Sequence, residues 1–271
     1  MNLSLHDVSF RYKDKGPDIL EHVTVSFQQG ELVALTGRNG SGKTTITRII
    51  TGLEKPKSGS VEWDGKDITM WDAAERSRFI GYVFQQPDRQ MFMPTVREEV
   101  AFGPRQQGKN EAEIQAIVTE ALKATDLADR ETEYPRSLSR GDKQRVAIAS
   151  AIAMSSKYLI LDEPTSGQDG REKKNLIELL HSLCQKGMTV ILVTHDMDIA
   201  AGDCSRIIVV ADHKIAFDGT AEALFSQDRK PESWGLTYPV SVVLGRTLPG
   251  NPYCGDIETF MECYEKVRRN Q

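Results

Sequence analysis

One glycine-rich stretch constrains this chain more than any other feature: residues 37–44 read GRNGSGKT. An apolar run, residues 32–35, precedes this stretch, and a helix-like segment, residues 44–51, follows it and ends at Gly52. A loop of this spacing between a strand and a helix directs consecutive backbone N–H groups at a phosphate. Lys43 would add a positive charge at the β and γ oxygens, and Thr44 a hydroxyl for Mg²⁺. We therefore predict a nucleotide-binding loop.

The alternative for this stretch is a glycine-rich turn that matches the pattern by chance. That alternative is disfavoured because a strand and a helix flank the loop in the required order. The residues that we expect to contact the nucleotide are Gly37, Asn39, Gly40, Ser41, Gly42, Lys43, Thr44 and Thr45.

Charge and hydropathy limit the partners of the chain. The 271 residues include 34 Lys and Arg against 39 Asp and Glu, a net charge of −5, so no bulk positive field attracts nucleic acid or an anionic membrane. No apolar run approaches the roughly 20 residues of a membrane-spanning helix, and the first residues lack a secretory signal. The four cysteines show no CxxC pairing, which argues against zinc or disulfides. We expect a cytoplasmic protein without nucleic acid partners.

The pattern of apolar residues predicts an α/β fold. Period-two alternation in residues 3–10 and 23–27 predicts antiparallel strands, whereas later apolar strands alternate with helices and predict a largely parallel sheet. Residues 86–157 are largely helical and interrupt that alternation, which indicates an inserted subdomain. We predict one domain over residues 1–226 and an extension over residues 227–271.

The predicted extension ends in an amphipathic helix. Ile257, Phe260, Met261, Tyr264 and Val267 share one face of this helix. We expect that face to be buried on the core of the chain itself, and a dimer contact is the alternative.

Two acidic residues end a second apolar strand. Asp162 and Glu163 follow residues 159–161, at the sheet edge where ligands of such folds bind. Asp162 is suited to hold Mg²⁺, and Glu163 to polarise the water that attacks a γ-phosphate. A polar turn before a helix is the alternative, but the phosphate loop upstream favours hydrolysis.

Residues 138–142, LSRGD, precede a helix and lie between the phosphate loop and the acidic pair. In this order the chain resembles an ABC-type ATPase over about residues 3–225, which implies a P-loop NTPase fold with a mixed sheet, an antiparallel β part and a helical insertion. The resemblance implies ATP and Mg²⁺ as ligands and hydrolysis of ATP. It further implies roles for Tyr12 on adenine, Gln85 at Mg²⁺, Asp169 in the D-loop (residues 166–169) and His195 as a catalytic switch.

Three of these residues, each taken alone, could have a purely structural role. Tyr12 could be a surface aromatic, Gln85 a loop amide, and His195 a histidine hydrogen-bonded after its strand. Their joint order favours the functional interpretation.

The signature segment departs from the common LSGGQ pattern of the family. Arg140 replaces the first glycine and Asp142 the glutamine, whereas Ser139 and Gly141 remain as the expected γ-phosphate contacts. Arg140 would strengthen nucleotide contact or serve a dimer surface, and the sequence does not decide between these alternatives.

Residues 84–90, 95–104 and 164–169 most resemble energy-coupling-factor transporters for vitamins or cobalt and nickel ions. That resemblance implies a second ATPase subunit, identical or paralogous, integral membrane subunits, and a peripheral position at the cytoplasmic face of the membrane. Residues 86–96 are the expected membrane-subunit contact, with packing inside the insertion as the alternative for their apolar side chains. Two other hypotheses are a soluble ABC protein acting on ribosomes or DNA and a small-molecule kinase, which leaves the signature unexplained.

Overall fold

The structure is a computed structural model that describes residues 2–13, 15–225 and 230–269. Ten strands lie in the described residues, in chain order Asn2–Phe10 (β1), Leu20–Gln28 (β2), Leu32–Thr36 (β3), Ser58–Trp63 (β4), Lys66–Asp67 (β5), Ile80–Val83 (β6), Tyr158–Asp162 (β7), Thr189–Val193 (β8), Arg206–Ala211 (β9) and Lys214–Gly219 (β10). The α-helices there are Lys43–Ile50 (α1), Ala73–Arg76 (α2), Val96–Gln106 (α3), Glu111–Ala124 (α4), Arg140–Ala153 (α5), Gly170–Gln185 (α6), Met197–Gly202 (α7), Ala221–Leu224 (α8), Val240–Gly245 (α9) and Ile257–Arg269 (α10). Short 3-10 helices span Pro87–Gln90, Ala128–Arg130, Pro135–Ser137 and Pro231–Trp234.

Two sheets form the body of the molecule. The larger sheet has the order β10-β9-β3-β8-β7-β6 and is parallel except at the β10–β9 edge. Every residue of β3 and β8 is buried, because the structure covers both faces of these central strands. The smaller sheet, of order β2-β1-β4-β5, is antiparallel. The predicted mixed sheet with an antiparallel part is confirmed.

Helix α1 packs between the two sheets, where Ile46, Ile49 and Ile50 are fully buried. The end of this helix is held by Arg76, whose side chain is fully buried. The Arg76 guanidinium donates to the carbonyl oxygens of Ile49 at 2.7 Å and Ile50 at 3.0 Å. It also donates to two carbonyls of the segment after β5. Arg76 thereby satisfies carbonyls that a helix end leaves without partners.

The helical insertion has a small core of its own. Helices α3, α4 and α5 pack together around Val96, Val100, Val118 and Val146. Helix α5 also contributes Ile148 to the core on one face of the large sheet. The start of α5, where the signature segment lies, is therefore held by both the insertion and the sheet.

The last described segment, residues 230–269, packs on the same face of the sheet as α6 and α7. Leu236 and Val242 belong to that core, and Arg246 lies 4.2 Å over the ring of Tyr238. The predicted boundary between residues 226 and 227 falls outside the described residues. Among the residues that the structure describes, no helix has the length and hydropathy needed to cross a membrane.

The apolar face of α10 is not buried. No residue of Ile257–Arg269 is buried, and Ile257, Met261 and Tyr264 are each about half exposed. The expectation that this face packs on the core of the chain is therefore wrong. Amphipathic periodicity predicts that a helix needs a partner surface, but it does not identify that surface.

Candidate functional site

The phosphate loop depends on glycine at its first position. Gly37 has φ of 137°, and a Cβ atom there would collide with the carbonyl oxygen of Val210 in β9. Because the Val210 oxygen belongs to the backbone, it cannot move aside as the end of a flexible side chain would. The loop therefore lies closely against the end of the neighbouring strand.

Helix α1 begins directly after the loop, at Lys43. Its N-cap residue, Gly42, makes no side-chain capping bond, so the first-turn N–H groups have no side-chain cap to compete with an anion. The Lys43 ammonium is buried and donates to the carbonyl oxygens of Gly37 at 2.7 Å and Arg38 at 2.9 Å. An ammonium has three donors, so one remains for a ligand. Burial lowers the pKa of Lys43, and the nearby Glu163 and Asp162 oppose that shift.

A cleft of about 610 Å³ opens beside this loop, where β3, β6, β7 and β8 end. Eleven of the residues predicted from the sequence line it: Tyr12, Asn39, Gly40, Gly42, Lys43, Thr44, Thr45, Gln85, Asp162, Glu163 and His195. Gly37 and Ser41 belong to the loop wall rather than to the lining. The Tyr12 hydroxyl lies 3.3 Å from the Thr45 hydroxyl, while its ring is half exposed at the mouth of the cleft.

The two acidic residues enter the cleft at the end of β7. Burial raises the pKa of Asp162, and burial together with the Asp162 charge raises the pKa of Glu163. The buried Glu163 Oε1 atom has no hydrogen-bond partner among the described residues. Two neighbouring carboxylates that are partly buried destabilise the fold unless a cation or a proton offsets their charge. The pair therefore suits a site that holds a cation and a water molecule.

His195 follows β8 and faces the same carboxylate. Its Nε2 atom lies 3.5 Å from Glu163 Oε1, and it lowers the pKa of Glu163 through a backbone hydrogen bond. Burial and the Lys43 charge lower the pKa of His195 itself, which favours the neutral imidazole. A neutral imidazole can donate or accept at Nε2, depending on its tautomer.

A contact behind one of the acidic residues was not predicted from the sequence. Tyr82 of β6 donates from its hydroxyl to Asp162 Oδ2 at 3.3 Å, and burial raises its pKa to about 12. Parallel pairing puts Tyr82 opposite Ile160, two residues before Asp162. The sequence shows a tyrosine near the end of an apolar strand, but the strand order is needed to show that this tyrosine lies next to Asp162.

The signature residues lie outside this cleft. Ser139 and Gly141 line a separate hollow of about 90 Å³ next to α6. The Ser139 hydroxyl caps α5 by accepting from the Asp142 N–H at 3.1 Å, and it donates to Asp142 Oδ2 at 2.7 Å. Asp169 caps α6 through the Glu172 N–H at 2.8 Å. The structure therefore brings Ser139, Gly141 and Asp169 together near one another, but not with the phosphate loop.

Arg140 points toward its own subunit. Its guanidinium donates to the Gln85 carbonyl oxygen at 3.3 Å, and Nη1 would lie 2.9 Å from a Cβ atom built on Gly167 of the D-loop. Asp142 is paired with Arg130 at 3.3 Å. Both unusual signature residues thus contact groups of the same chain.

Comparison with known proteins places these features in a family. The family model described as ABC transporter matches residues 20–166. The energy-coupling factor transporter ATP-binding protein EcfA of Methanocaldococcus jannaschii is 40% identical over 222 residues, covering 81% of this chain and 79% of that protein. The chain spans less than half of some curated relatives: it covers 45% of a putative ABC transporter ATP-binding protein of Caldanaerobacter subterraneus, at 39% identity.

Solved structures show the same fold. The structure of cbiO1 from Clostridium perfringens, described as part of the ABC transporter complex cbiONQ, superposes with a TM-score of 0.76 at 34% identity, covering 83% of this chain and 91% of that one. A bacterial ABC transporter cassette solved as a dimer gives a TM-score of 0.71 at 31% identity, with 81% and 98% covered.

Proposed function

This chain belongs to the family of ABC transporter ATP-binding proteins, and we propose that it binds and hydrolyses ATP to drive an energy-coupling-factor type importer of a vitamin or of cobalt or nickel ions. The observation that carries the catalytic part is the convergence of the phosphate loop, Asp162, Glu163 and His195 on one cleft. The transport part rests on the likeness to EcfA and to cbiO1.

Lys43 and the N–H groups at the start of α1 hold the phosphates in this proposal. Thr44, Gln85 and Asp162 line the cleft with oxygen atoms, the ligands that Mg²⁺ prefers, and their grouping next to the phosphate loop fits that ion. A bound Mg²⁺ would supply positive charge that offsets the charge of the phosphates. Tyr12, at the mouth of the cleft, offers its ring to the adenine base.

Glu163 is the proposed general base. Glu163 lines the cleft and its Oε1 atom has no hydrogen-bond partner among the described residues, so the carboxylate can accept a proton from a water molecule aimed at the γ-phosphate. His195 Nε2 lies 3.5 Å from that oxygen and in this proposal orients the carboxylate toward the water molecule. Lys43 neutralises charge on the phosphate side.

The site is complete only with a second ATPase subunit, identical or paralogous. Ser139 and Gly141 lie outside the cleft of their own chain, and in this proposal they contact the γ-phosphate held by another subunit. Asp169 belongs to the same surface. Two such chains placed head to tail would enclose two nucleotides, in keeping with the relative solved as a dimer. Hydrolysis removes the γ-phosphate contacts and with them the bias toward the closed pair.

Membrane subunits convert this motion into transport in our proposal. The loop after Gln85 joins the sheet to the insertion, and it exposes Phe92 while Met91 is buried in the insertion core. We propose that this loop contacts an integral membrane subunit and that the chain sits at the cytoplasmic face of the membrane. The cbiO1 protein is described as part of such a complex.

Uptake by intact cells tests the proposal. Cells carrying the wild-type chain or Glu163→Gln as their only copy are given labelled cobalt ions, nickel ions or B vitamins, and the chain is then purified from gently solubilised membranes. We expect uptake of one substrate to require Glu163 and an integral membrane protein to accompany both forms. Undiminished uptake of all substrates in the variant, or co-purification with ribosomal proteins or DNA, would contradict transport and favour the soluble alternative.

A further inference from the structure

The extension at the end of the chain touches the phosphate loop directly. Gly235 follows the 3-10 helix Pro231–Trp234 in a left-handed conformation, with φ of 74°. A Cβ atom on Gly235 would lie 2.6 Å from Nε and 3.0 Å from Cδ of Arg38, and would also collide with Cγ. The Gly235 backbone therefore lies against the side chain of the second residue of the GRNGSGKT loop.

Arg38 is in turn tied to the part of the loop that holds phosphate. Its carbonyl oxygen accepts from the Lys43 ammonium at 2.9 Å and from the Ser41 N–H at 3.1 Å. The residue whose side chain Gly235 contacts therefore positions both the loop turn and the lysine through its backbone carbonyl. The path from the extension to the lysine passes through a single residue.

The segment around Gly235 has little room to retreat. Leu236 is buried in the core that also contains Val209 and Phe217, and its N–H donates to the Pro231 carbonyl at 3.2 Å. Trp234 packs toward Phe217 with ring centroids 6.4 Å apart. Because the extension is packed on the core here whereas Arg38 is exposed, a collision at Gly235 is expected to displace Arg38.

We propose that the C-terminal extension is a working part of the nucleotide site, in which Gly235 positions the phosphate loop through Arg38. This inference rests on the proposed binding of nucleotide at that loop. Gly235 and Arg38 are positioning residues, since they act through the loop and Lys43. If the nucleotide binds more tightly when residues 231–236 are packed against the phosphate loop, then by thermodynamic linkage bound nucleotide also stabilises the packing of those residues.

A double-mutant cycle in the full-length protein isolates the contact. Calorimetric titration with a non-hydrolysable ATP analogue is expected to give about tenfold weaker binding for Gly235→Ala. The same substitution in an Arg38→Ala background is expected to cost less than about threefold, because the collision is then absent. Equal losses in the two backgrounds would overturn the proposal.

The matched control is Gly250→Ala, in the same extension. Gly250 has φ of 82° but no atom within 4 Å of a built Cβ, so it carries the same backbone strain without a collision. We expect analogue affinity to remain within about twofold of wild type. A loss equal to that of Gly235→Ala would show that strain in the extension, not contact with Arg38, weakens binding.

Fluorine NMR of the fluorotryptophan-labelled wild-type protein keeps the proposal testable even if Gly235→Ala does not fold. Trp234, adjacent to Gly235, is assigned with Trp234→Phe. We expect the analogue to shift the Trp234 resonance in the wild-type protein. In the Arg38→Ala variant, saturated with the analogue, the resonance should not shift. An unshifted Trp234 with the analogue bound would overturn this inference alone, whereas no binding by calorimetry would overturn the proposed function as well.

Discussion

The cleft and the hollow that contains the signature residues Ser139 and Gly141 differ in how many of the predicted nucleotide-site residues they bring together. Lys43, Asp162, Glu163 and His195 meet in one cleft, although they come from distant parts of the sequence. Ser139 and Gly141, only about twenty residues before the acidic pair, lie in another hollow. In our proposal, one chain builds the phosphate and catalytic side of the site and offers the signature side to a second chain.

The geometry of the parallel sheet explains why the phosphate loop and the acidic residues meet in one cleft. Strands β3, β8, β7 and β6 are parallel neighbours, so backbone hydrogen bonds bring their carboxyl ends to one edge. The signature instead begins helix α5, and its serine is occupied by a cap within the same turn. Among the described residues, no strand pairing brings that turn to the cleft.

Replacing the proposed base tests the cleft side most severely. Glu163→Gln keeps the shape of the side chain but removes the carboxylate, so we expect turnover of ATP to fall on the order of 10² to 10⁴. Binding of ATP, measured by calorimetry, should persist. As a contrast, Asp162→Asn should weaken the Mg²⁺-dependent part of nucleotide binding itself. Near-normal turnover by Glu163→Gln would exclude its role as base.

Removing the signature hydroxyl tests the other side of the comparison. Ser139→Ala is expected to weaken ATP-driven association of two ATPase subunits about tenfold, measured by analytical ultracentrifugation with Glu163→Gln to prevent turnover. Nucleotide binding to one subunit should change little. The control is Asn110→Ala, which removes the cap of α4 in the same insertion. Equal losses of binding and association would mean that Ser139 acts within its own subunit.

The Tyr82 hydroxyl offers a finer test of the cleft. Tyr82→Phe removes a donor to Asp162, so we expect the Mg²⁺ concentration for half-maximal nucleotide binding to rise roughly tenfold, as for other residues that orient a metal ligand. Tyr158→Phe is the matched control, because the Tyr158 hydroxyl has no hydrogen-bond partner in the part of the chain that the structure describes. If both variants behave alike, the bond does not orient Asp162.

The pH dependence of turnover is the smallest effect. Glu163 acts as a base only when ionised, and burial together with Asp162 raises its pKa above the usual 4.5. Activity should therefore decline on acidification at a higher pH than an ordinary glutamate would give. A pH profile of kcat/KM in which full activity extends down to the range of an exposed carboxylate would contradict this assignment.

Patterns local in sequence predicted much of this molecule. The GRNGSGKT loop predicted a strand, a turn and helix α1, and period-two alternation predicted the antiparallel strands β1 and β2. The alternation of strands and helices predicted the largely parallel sheet, whereas the family resemblance implied its mixed character. Each of these depends on neighbours along the chain, which a sequence displays directly.

Features that depend on distant contacts were not predictable. No local pattern indicates that Arg76, on the short helix α2, is fully buried and holds the end of α1. Tyr82 required the strand order, and the contact of Gly235 with Arg38 joins residues almost two hundred positions apart. The exposed face of α10 shows the same limit, since amphipathicity alone does not say what a helix covers.

The dependence of ATP turnover on protein concentration tests the central claim most directly. If the signature of one subunit completes the cleft of another, turnover per chain should rise steeply with concentration and saturate as pairs form, in parallel with the mass observed by light scattering. Constant turnover per chain across dilution, with scattering that shows only single chains, would contradict the shared site.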